Sequence, residues 1–334
     1  MAGSFILDKM TKYTTNPLFI LAPMDDVTDT AFRQIVSSCA KPDLCFSEFV
    51  NVDGLMSPGR NRLFSKLEQA DSEPPLVAHL WGSKPENFLD IADQVASGAL
   101  AKEIGNLNNF AGIDLNMGCP ARAVIKGGTC SALIKNHDLA REIIEATRAG
   151  NKGRLPLSVK TRLGFEKIDP DWIRFLLGFD LDMLSVHLRT VKEMSLVPAH
   201  YEELERIVKE RDELSPSTLI IANGDVQSRA QGEELIAKYG IDGVMIGRGV
   251  FHDPFVFSPK SPWTSTTKEE RLKLFLKHLE IYNEWAKNPD KGVKRLNKYA
   301  KIYINGFDGA KELREKLAKA NSILQMQEIV STGV

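Results

Sequence analysis

Cys119 stands between Gly118 and Pro120. That setting is a rigid turn, where packing gives a poor account of a sulfur. A thiol at the open end of a fold can act as nucleophile, acid or metal ligand. The sequence has no CxxC or HExxH pair, so no metal site is expected. Nucleophilic attack would want an activating base, and His187 is a candidate. Around Cys119 in the chain lie further groups able to do chemistry: Pro23-Met24 and Asp25, Glu48, His79, Asn116, Lys160 with Arg162, His187 with Arg189, Asn223-Gly224-Asp225 and Gly247-Arg248-Gly249. Taken singly, each could simply cap its own loop. Each, however, ends a short apolar run, and buried strands that deliver charge at one end only require a large polar ligand there.

Those runs are FILAPM (19–24), LCFSEF (44–49), PLVAHLW (75–81), GIDLNM (112–117), LPLSVKT (155–161), LDMLSVH (181–187), STLIIAN (217–223) and IDGVMIG (241–247). Between most of them lies a segment of helical periodicity, at 28–39, 84–100, 137–150 and 229–240. Only the connection between the second and third runs has no clear pattern. Eight such units over roughly 230 residues predict an α/β fold, a (β/α)8 TIM barrel. A doubly wound sheet is the alternative, but its GxGxxG turn is missing after the first strand. Beyond residue 250 a linker with three prolines (254–270) leads into three helical stretches, with Thr266 or Thr267 as N-cap before Glu269 and Glu270. The expected division is a catalytic barrel over 1–255 and a helical bundle domain over 256–334.

Composition narrows the class. With 43% hydrophobic and 26% charged residues the chain can bury a sizeable core, and no apolar stretch reaches membrane-span length. The start MAGSFILDKMTKY lacks the pattern of an export signal, and four irregularly spaced cysteines do not form a disulfide framework, so a cytoplasmic protein without membrane contact is expected. Nothing demands a dimer, and a monomer is expected. Net charge is −1, but residues 268–334 carry 14 Lys+Arg against 9 Asp+Glu, and the rest carries 29 against 35. A basic tail on an acidic body hints at nucleic acid as partner.

The glycine-containing ends of the seventh and eighth runs sit where barrels bind phosphate through backbone N–H groups. Lys160 and His187 face the same half of the mouth. A phosphate-bearing ligand follows, and either a flavin or a sugar phosphate satisfies the pattern. Cys39 and Cys45 read as core residues; Cys130, after Gly127-Gly128, reads as closer to structural than catalytic.

The segments LAPMDDVTD (21–29), SEFV (47–50), DLNMGCP (114–120), KGG (126–128), SVKTRLG (158–164), HLRT (187–190), NGDV (223–226) and DGVMIGRG (242–249) resemble, in order and spacing, the tRNA-dihydrouridine synthase family. The tail segment 295–314 resembles that family's helical domain, so the likeness spans nearly the whole chain. It implies an FMN-containing barrel that reduces the C5–C6 double bond of particular uridines in tRNA, with NADPH as electron donor. By position, Pro23 and Met24 would contact the isoalloxazine, Lys160 its N1/O2 edge, and Asn116 the flavin or the target uracil. His79 replaces the glutamine usual at a flavin pyrimidine contact. His187 would help hold the ribityl phosphate, with Asn223, Gly224, Asp225, Gly247 and Arg248 completing that site. Cys119 would be the general acid, since a thiol is mostly protonated at neutral pH and C5 needs a proton once hydride has added at C6.

The tRNA contacts implied are Arg162 and Arg189 at the mouth, and Lys294, Arg295 and Lys298 in the tail. In the tail Lys291 and Lys301 continue the stripe, with Tyr299 and Tyr303 interleaved. Besides His79, two residues depart from the family pattern: Leu188 and Cys130 stand where glycine or a small residue is usual. The competing readings are an FMN barrel acting on a free pyrimidine, a tRNA-binding chaperone without catalysis, and an aldolase-type barrel with Lys160 as Schiff base.

Overall fold

A computed structural model of the chain describes residues 17–333; the amino-terminal stretch read above for export signals lies outside them, as does the side chain of Lys291. Eight parallel strands form the centre: β1 (Leu18–Leu21), β2 (Leu44–Phe46), β3 (Leu76–Trp81), β4 (Gly112–Met117), β5 (Leu157–Arg162), β6 (Met183–His187), β7 (Leu219–Asn223) and β8 (Gly243–Ile246). Each pairs with the next, and β8 pairs back to β1 in the register Leu18 to Gly243 through Leu21 to Ile246. The sheet is therefore a closed barrel, as the alternation of runs predicts. The connection between β2 and β3 contains a two-residue strand, Val50–Asn51, paired with Leu80–Trp81, and a 3-10 helix, Arg60–Lys66.

Alternation along the strands sorts every side chain. Leu18, Ile20, Val77, Met183, Ile221 and Met245 point into the lumen and pack together. Phe19, Leu21, Ile113, Val159, Leu184, Ala222 and Val244 point outward, into the layer shared with the helices. Counting on by twos, His79, Asn116, Lys160, His187, Asn223 and Gly247 are the inward positions above that apolar plug. Cross-strand register brings them level: Asn116 pairs with Lys160, and His187 with Asn223. The lumen is thus apolar below and polar at its carboxyl end.

The helices outside are α1 (Thr30–Cys39), α2 (Pro85–Ala96), α3 (Ala99–Ile104), α4 (His137–Asn151), α5 (Pro170–Leu177), α6 (Glu203–Leu214) and α7 (Arg229–Tyr239). The single helix expected over 84–100 is two, because Gly98 takes a left-handed φ of 80° and starts a new axis. In the tail, α8 (Lys268–Trp285) opens with a capping box between Thr267 and Glu270. It is followed by α9 (Val293–Tyr303), α10 (Ala310–Leu317) and α11 (Ile323–Ser331). The third stretch expected there divides at Ala318–Asn321, where Ser322 caps α11 by accepting from the Gln325 N–H. The bundle docks on α1 through α8 and α9: Phe32 stacks on Tyr299 with ring centroids 5.1 Å apart, and Tyr299 donates to Val27 O at 2.9 Å.

Candidate active site

A cavity of about 400 Å³ opens at the carboxyl end of the barrel. Its wall includes all eleven residues expected to hold the cofactor, together with Cys119 and Arg162. Phe49, Ser195, Gln227 and His252 also line it. Phe49 lies in the SEFV segment beside Glu48 and could have been found there. Ser195 belongs to an irregular loop with no local signal, and His252 ends the short helix Gly249–His252.

On one side of the floor, Asp114 accepts from Ser158 Oγ at 2.5 Å and faces His79 Nδ1 at 2.6 Å. A carboxylate there places a proton on Nδ1, so Nε2 is the free end of the ring. Phe46 and Phe49 meet that ring edge-on. Next to it, Asn116 Oδ1 accepts from the backbone N–H groups of Gly118 (3.1 Å) and Cys119 (3.0 Å), a side-chain turn that fixes the cysteine. Lys160 Nζ donates to Asn223 Oδ1 at 3.0 Å, and Asn223 Nδ2 donates to Met245 O. Burial pushes the Lys160 ammonium down to about 8. His187 is held far below the ordinary imidazole range by burial, then by the positive charges of Arg162 and Lys160, so it is neutral.

Three side-chain atoms on this wall, His79 Nε2, Asn116 Nδ2 and His187 Nδ1, are buried with no partner in the protein. Buried polar atoms are ordinarily paired. An acceptor or donor from each of three strands, beside one ammonium and a glycine-rich rim, fits a flat polar ring system carrying a phosphate. The rim supplies Gly224, at a φ of 124° that disfavours a side chain, and Gly247. Beside them Arg248 pairs with Asp225 at 3.0 Å while staying half exposed.

Cys119 is clamped from several directions. Ser131 Oγ donates to its carbonyl at 2.7 Å, and its sulfur is brought down to about 7, first by the Cys130 thiol and then by the Ala121 N–H, against burial. Arg162 holds the adjoining loops together, donating to Gly118 O (2.9 Å), Thr190 O (3.0 Å) and Met194 O (2.8 Å). The resemblance implies Arg162 as a tRNA contact; its guanidinium is buried and largely spent on these carbonyls. Cys130, read as closer to structural, is buried, and the neighbouring Cys119 thiol and burial push its own thiol well above the ordinary cysteine range.

The other expected substrate contacts separate. Arg189 is buried, pairs with Asp225 and donates to Val197 O at 2.6 Å, while its Nη1 has no partner in the protein. Arg295 is committed to Asp29 (3.1 Å) and Asp26 (3.0 Å) of the barrel. Tyr299 is buried against the barrel's α1, and Tyr303 within the tail against Phe275 and His278, which removes both as stacking platforms. Lys294, Lys298 and Lys301 remain exposed along α9.

A closed parallel barrel with a thiol, an ammonium and a glycine rim around one polar cavity is a barrel enzyme that takes its ligand at the carboxyl ends of its strands. More narrowly, the chain belongs to the dihydrouridine synthase (Dus) family, whose model matches residues 20–331. It is 47% identical over 317 residues to a protein of Staphylococcus aureus (strain COL) called "Probable tRNA-dihydrouridine synthase", covering 94% of this chain and 92% of that one. It is 42% identical over 317 residues to "Probable tRNA-dihydrouridine synthase 2" of Bacillus subtilis (strain 168), covering 94% and 93%. Among solved structures, a 2-naphthoyl-CoA reductase bound to 2-naphthoyl-CoA shares the fold at a TM-score of 0.50 and 12% identity, covering 72% of this chain. The chain spans about half the length of that structure, 49%. No helix of the described residues is long and apolar enough to cross a membrane.

Proposed function

We propose that the chain is a tRNA-dihydrouridine synthase that uses FMN and NADPH to reduce uridine in tRNA. The observation that carries this reading is the placement of Cys119 and Lys160 on the wall of one cavity whose own buried polar atoms are unpaired. Relatives at 42% and 47% identity with the corresponding names support the substrate class.

In this reading His79, Asn116 and Lys160 hold the ring edge, Pro23 and Met24 lie along it, and His187, Asn223, Gly224, Asp225, Gly247 and Arg248 hold the ribityl phosphate. When bound, the flavin supplies the hydride that adds to C6 of the uracil. Cys119 Sγ then gives its proton to C5. With its thiol near 7 the group is poised between the two protonation states at neutral pH, where general acids work best. Lys160, still mostly an ammonium at that pH, stabilises negative charge at the cavity floor without reorganisation. The cavity sits inside the barrel mouth, so the uridine enters only after leaving the base stack. The exposed lysines of α9 grip the tRNA backbone, with the barrel over 1–255 as catalytic domain and 256–334 as tRNA-binding domain. Cytoplasmic location and a monomeric state belong to the same reading.

The test is direct. The purified protein is expected to show flavin absorbance, and its NADPH-reduced form to be reoxidised anaerobically by unmodified tRNA with dihydrouridine appearing in the nucleoside digest. Reoxidation by a free pyrimidine instead of tRNA would favour the small-molecule reading, and a colourless protein would favour the aldolase one.

A further inference from the structure

Asp114 is fully buried in β4, and a carboxylate taken out of water is costly unless its oxygens are occupied. Here both are. Ser158 Oγ donates to one oxygen at 2.5 Å, and His79 Nδ1 lies 2.6 Å from the other. His79 is the register partner of Asp114 across β3 and β4, so the two stand level in the sheet. The histidine is fixed from other directions as well. Its backbone N–H donates to Ser47 Oγ at 2.9 Å, and the rings of Phe46 and Phe49 meet its imidazole edge-on, with centroids 6.0 and 5.1 Å away.

Packing alone accounts poorly for this cluster, since an apolar pair of similar volume would fill the space without a buried carboxylate. One atom points to a ligand. His79 Nε2 is buried on the cavity wall and has no partner in the protein. With the ring proton on Nδ1, facing the carboxylate, that nitrogen carries a lone pair and only accepts. Asn116, two residues past Asp114 on the same strand, has the opposite polarity. Its Oδ1 accepts the N–H groups of Gly118 and Cys119, which settles the orientation of the amide and leaves the buried, unpaired Nδ2 as a donor. Adjacent strands thus bring one orphan acceptor and one orphan donor to the same wall.

We propose that Asp114, held by Ser158, is a positioning residue for His79: it keeps the ring proton on Nδ1, so that Nε2 accepts the imide N–H of the flavin pyrimidine ring while Asn116 Nδ2 donates to an adjoining carbonyl. A glutamine at 79 could rotate its amide to offer either polarity, whereas a histidine beside a fixed carboxylate offers one. The wall therefore selects a ring edge that carries a hydrogen on nitrogen. The inference rests on the reading of the cavity as a flavin site, but the tautomer is measurable with no ligand present.

Nitrogen-15 NMR of the flavin-free full chain, labelled at its six histidines, reads the tautomer, and His79→Gln assigns the signal. The expected ring has an N–H nitrogen at Nδ1 and a pyridine-type nitrogen at Nε2. In Asp114→Asn the new amide can donate to Nδ1, and the proton is expected to move to Nε2. Titration with FMN and with 3-methyl-FMN, whose N3 carries no hydrogen, reads the consequence. Wild type is expected to prefer FMN by roughly tenfold or more, the scale of one hydrogen bond, and Asp114→Asn to lose most of that preference. The bulk of the methyl group is the same for both proteins. Each ratio is taken within one preparation, so a smaller folded fraction cancels. In a His79→Gln background the ratio should no longer respond to Asp114→Asn, even though the influence of Asp114 on Lys160 is removed there too. An imidazolium or an Nε2–H ring in wild type would overturn the inference, as would a preference for FMN that survives Asp114→Asn. Should the tautomer be as expected while neither flavin binds, the cofactor reading fails and takes the imide assignment with it.

Discussion

Arg295 reaches across 266 residues of sequence to place Nη1 3.1 Å from Asp29 Oδ2, while the other oxygen of the same carboxylate caps α1 by accepting the Phe32 N–H at 2.9 Å. Asp29 is fully buried, and burial raises its carboxyl despite both partners. A single carboxylate thus joins the start of the barrel's first helix to the tail.

Removing Arg295 therefore leaves a buried charge short of its partner. Arg295→Ala is expected to destabilise the folded chain by about 3 kcal/mol, below the top of the range for broken buried pairs because the guanidinium is partly exposed. Lys294→Ala and Lys298→Ala should change stability by no more than about 0.5 kcal/mol and weaken tRNA binding in a salt-dependent way. Urea unfolding and filter binding at two salt concentrations distinguish the two classes. Equal loss of stability in all three variants would remove the distinction.

Cys119→Ala separates the halves of the reaction. Reduction of the flavin by NADPH needs no proton donor over the substrate and should proceed almost normally. Reoxidation by tRNA should slow by roughly 10²–10⁴-fold, the usual cost of a lost general acid. Stopped-flow absorbance measures both, and a normal reoxidation rate would assign the proton to another group.

At the rim, Arg248→Ala is expected to weaken FMN retention by about tenfold or more, the scale of one charge-assisted hydrogen bond. Gly224→Val should do the same for a different reason. Its φ of 124° excludes a branched residue, and an added Cβ would come within 3.3 Å of Ala199 Cβ. Flavin-to-protein ratio after gel filtration reads both, and full occupancy in either would move the phosphate elsewhere.

Glu48 gives a pH dependence. It is buried, accepts the Asp26 N–H at 2.6 Å, and burial lifts its carboxyl from 4.5 to about 7. Between those values the folded chain binds more protons than the unfolded chain, so this contribution is complete below 4.5 and is lost as pH rises through 7. Glu48→Gln keeps the acceptor without the charge. It should flatten that slope and stabilise the protein above pH 7 by roughly 2–3 kcal/mol. Denaturation curves on either side of the window test this, and an unchanged slope would refute it.

The barrel and the wall of its cavity were legible in the sequence because period-two alternation and strand-end position are local properties. His79, Asn116, Lys160, His187 and Asn223 all follow from counting along apolar runs. What was not legible depended on partners distant in sequence. Arg189 and Arg162 look like free cations in HLRT and SVKTRLG, and only the folded chain shows the carboxylate and carbonyls that occupy them. The stripe of α9 has the same character: spacing of three and four groups Arg295, Tyr299 and Tyr303 with the lysines, but Arg295 and Tyr299 lie on the face turned to α1 and the β1 loop, and Tyr303 packs on α8.

Tyr299 holds the carbonyls of Asp26 and Val27, two and three residues past Met24 on the cavity wall. One continuous apolar cluster runs from Phe19 and Phe32 through Phe275 to Tyr303, without a seam at residue 255. The tail is therefore not a cartridge. A chimera that exchanged residues 256–334 for those of a relative would have to carry the matching face of α1 and the loop 25–29 with it, and swapping RNA preference by tail alone would deform the cavity's first wall before it changed which tRNA is read.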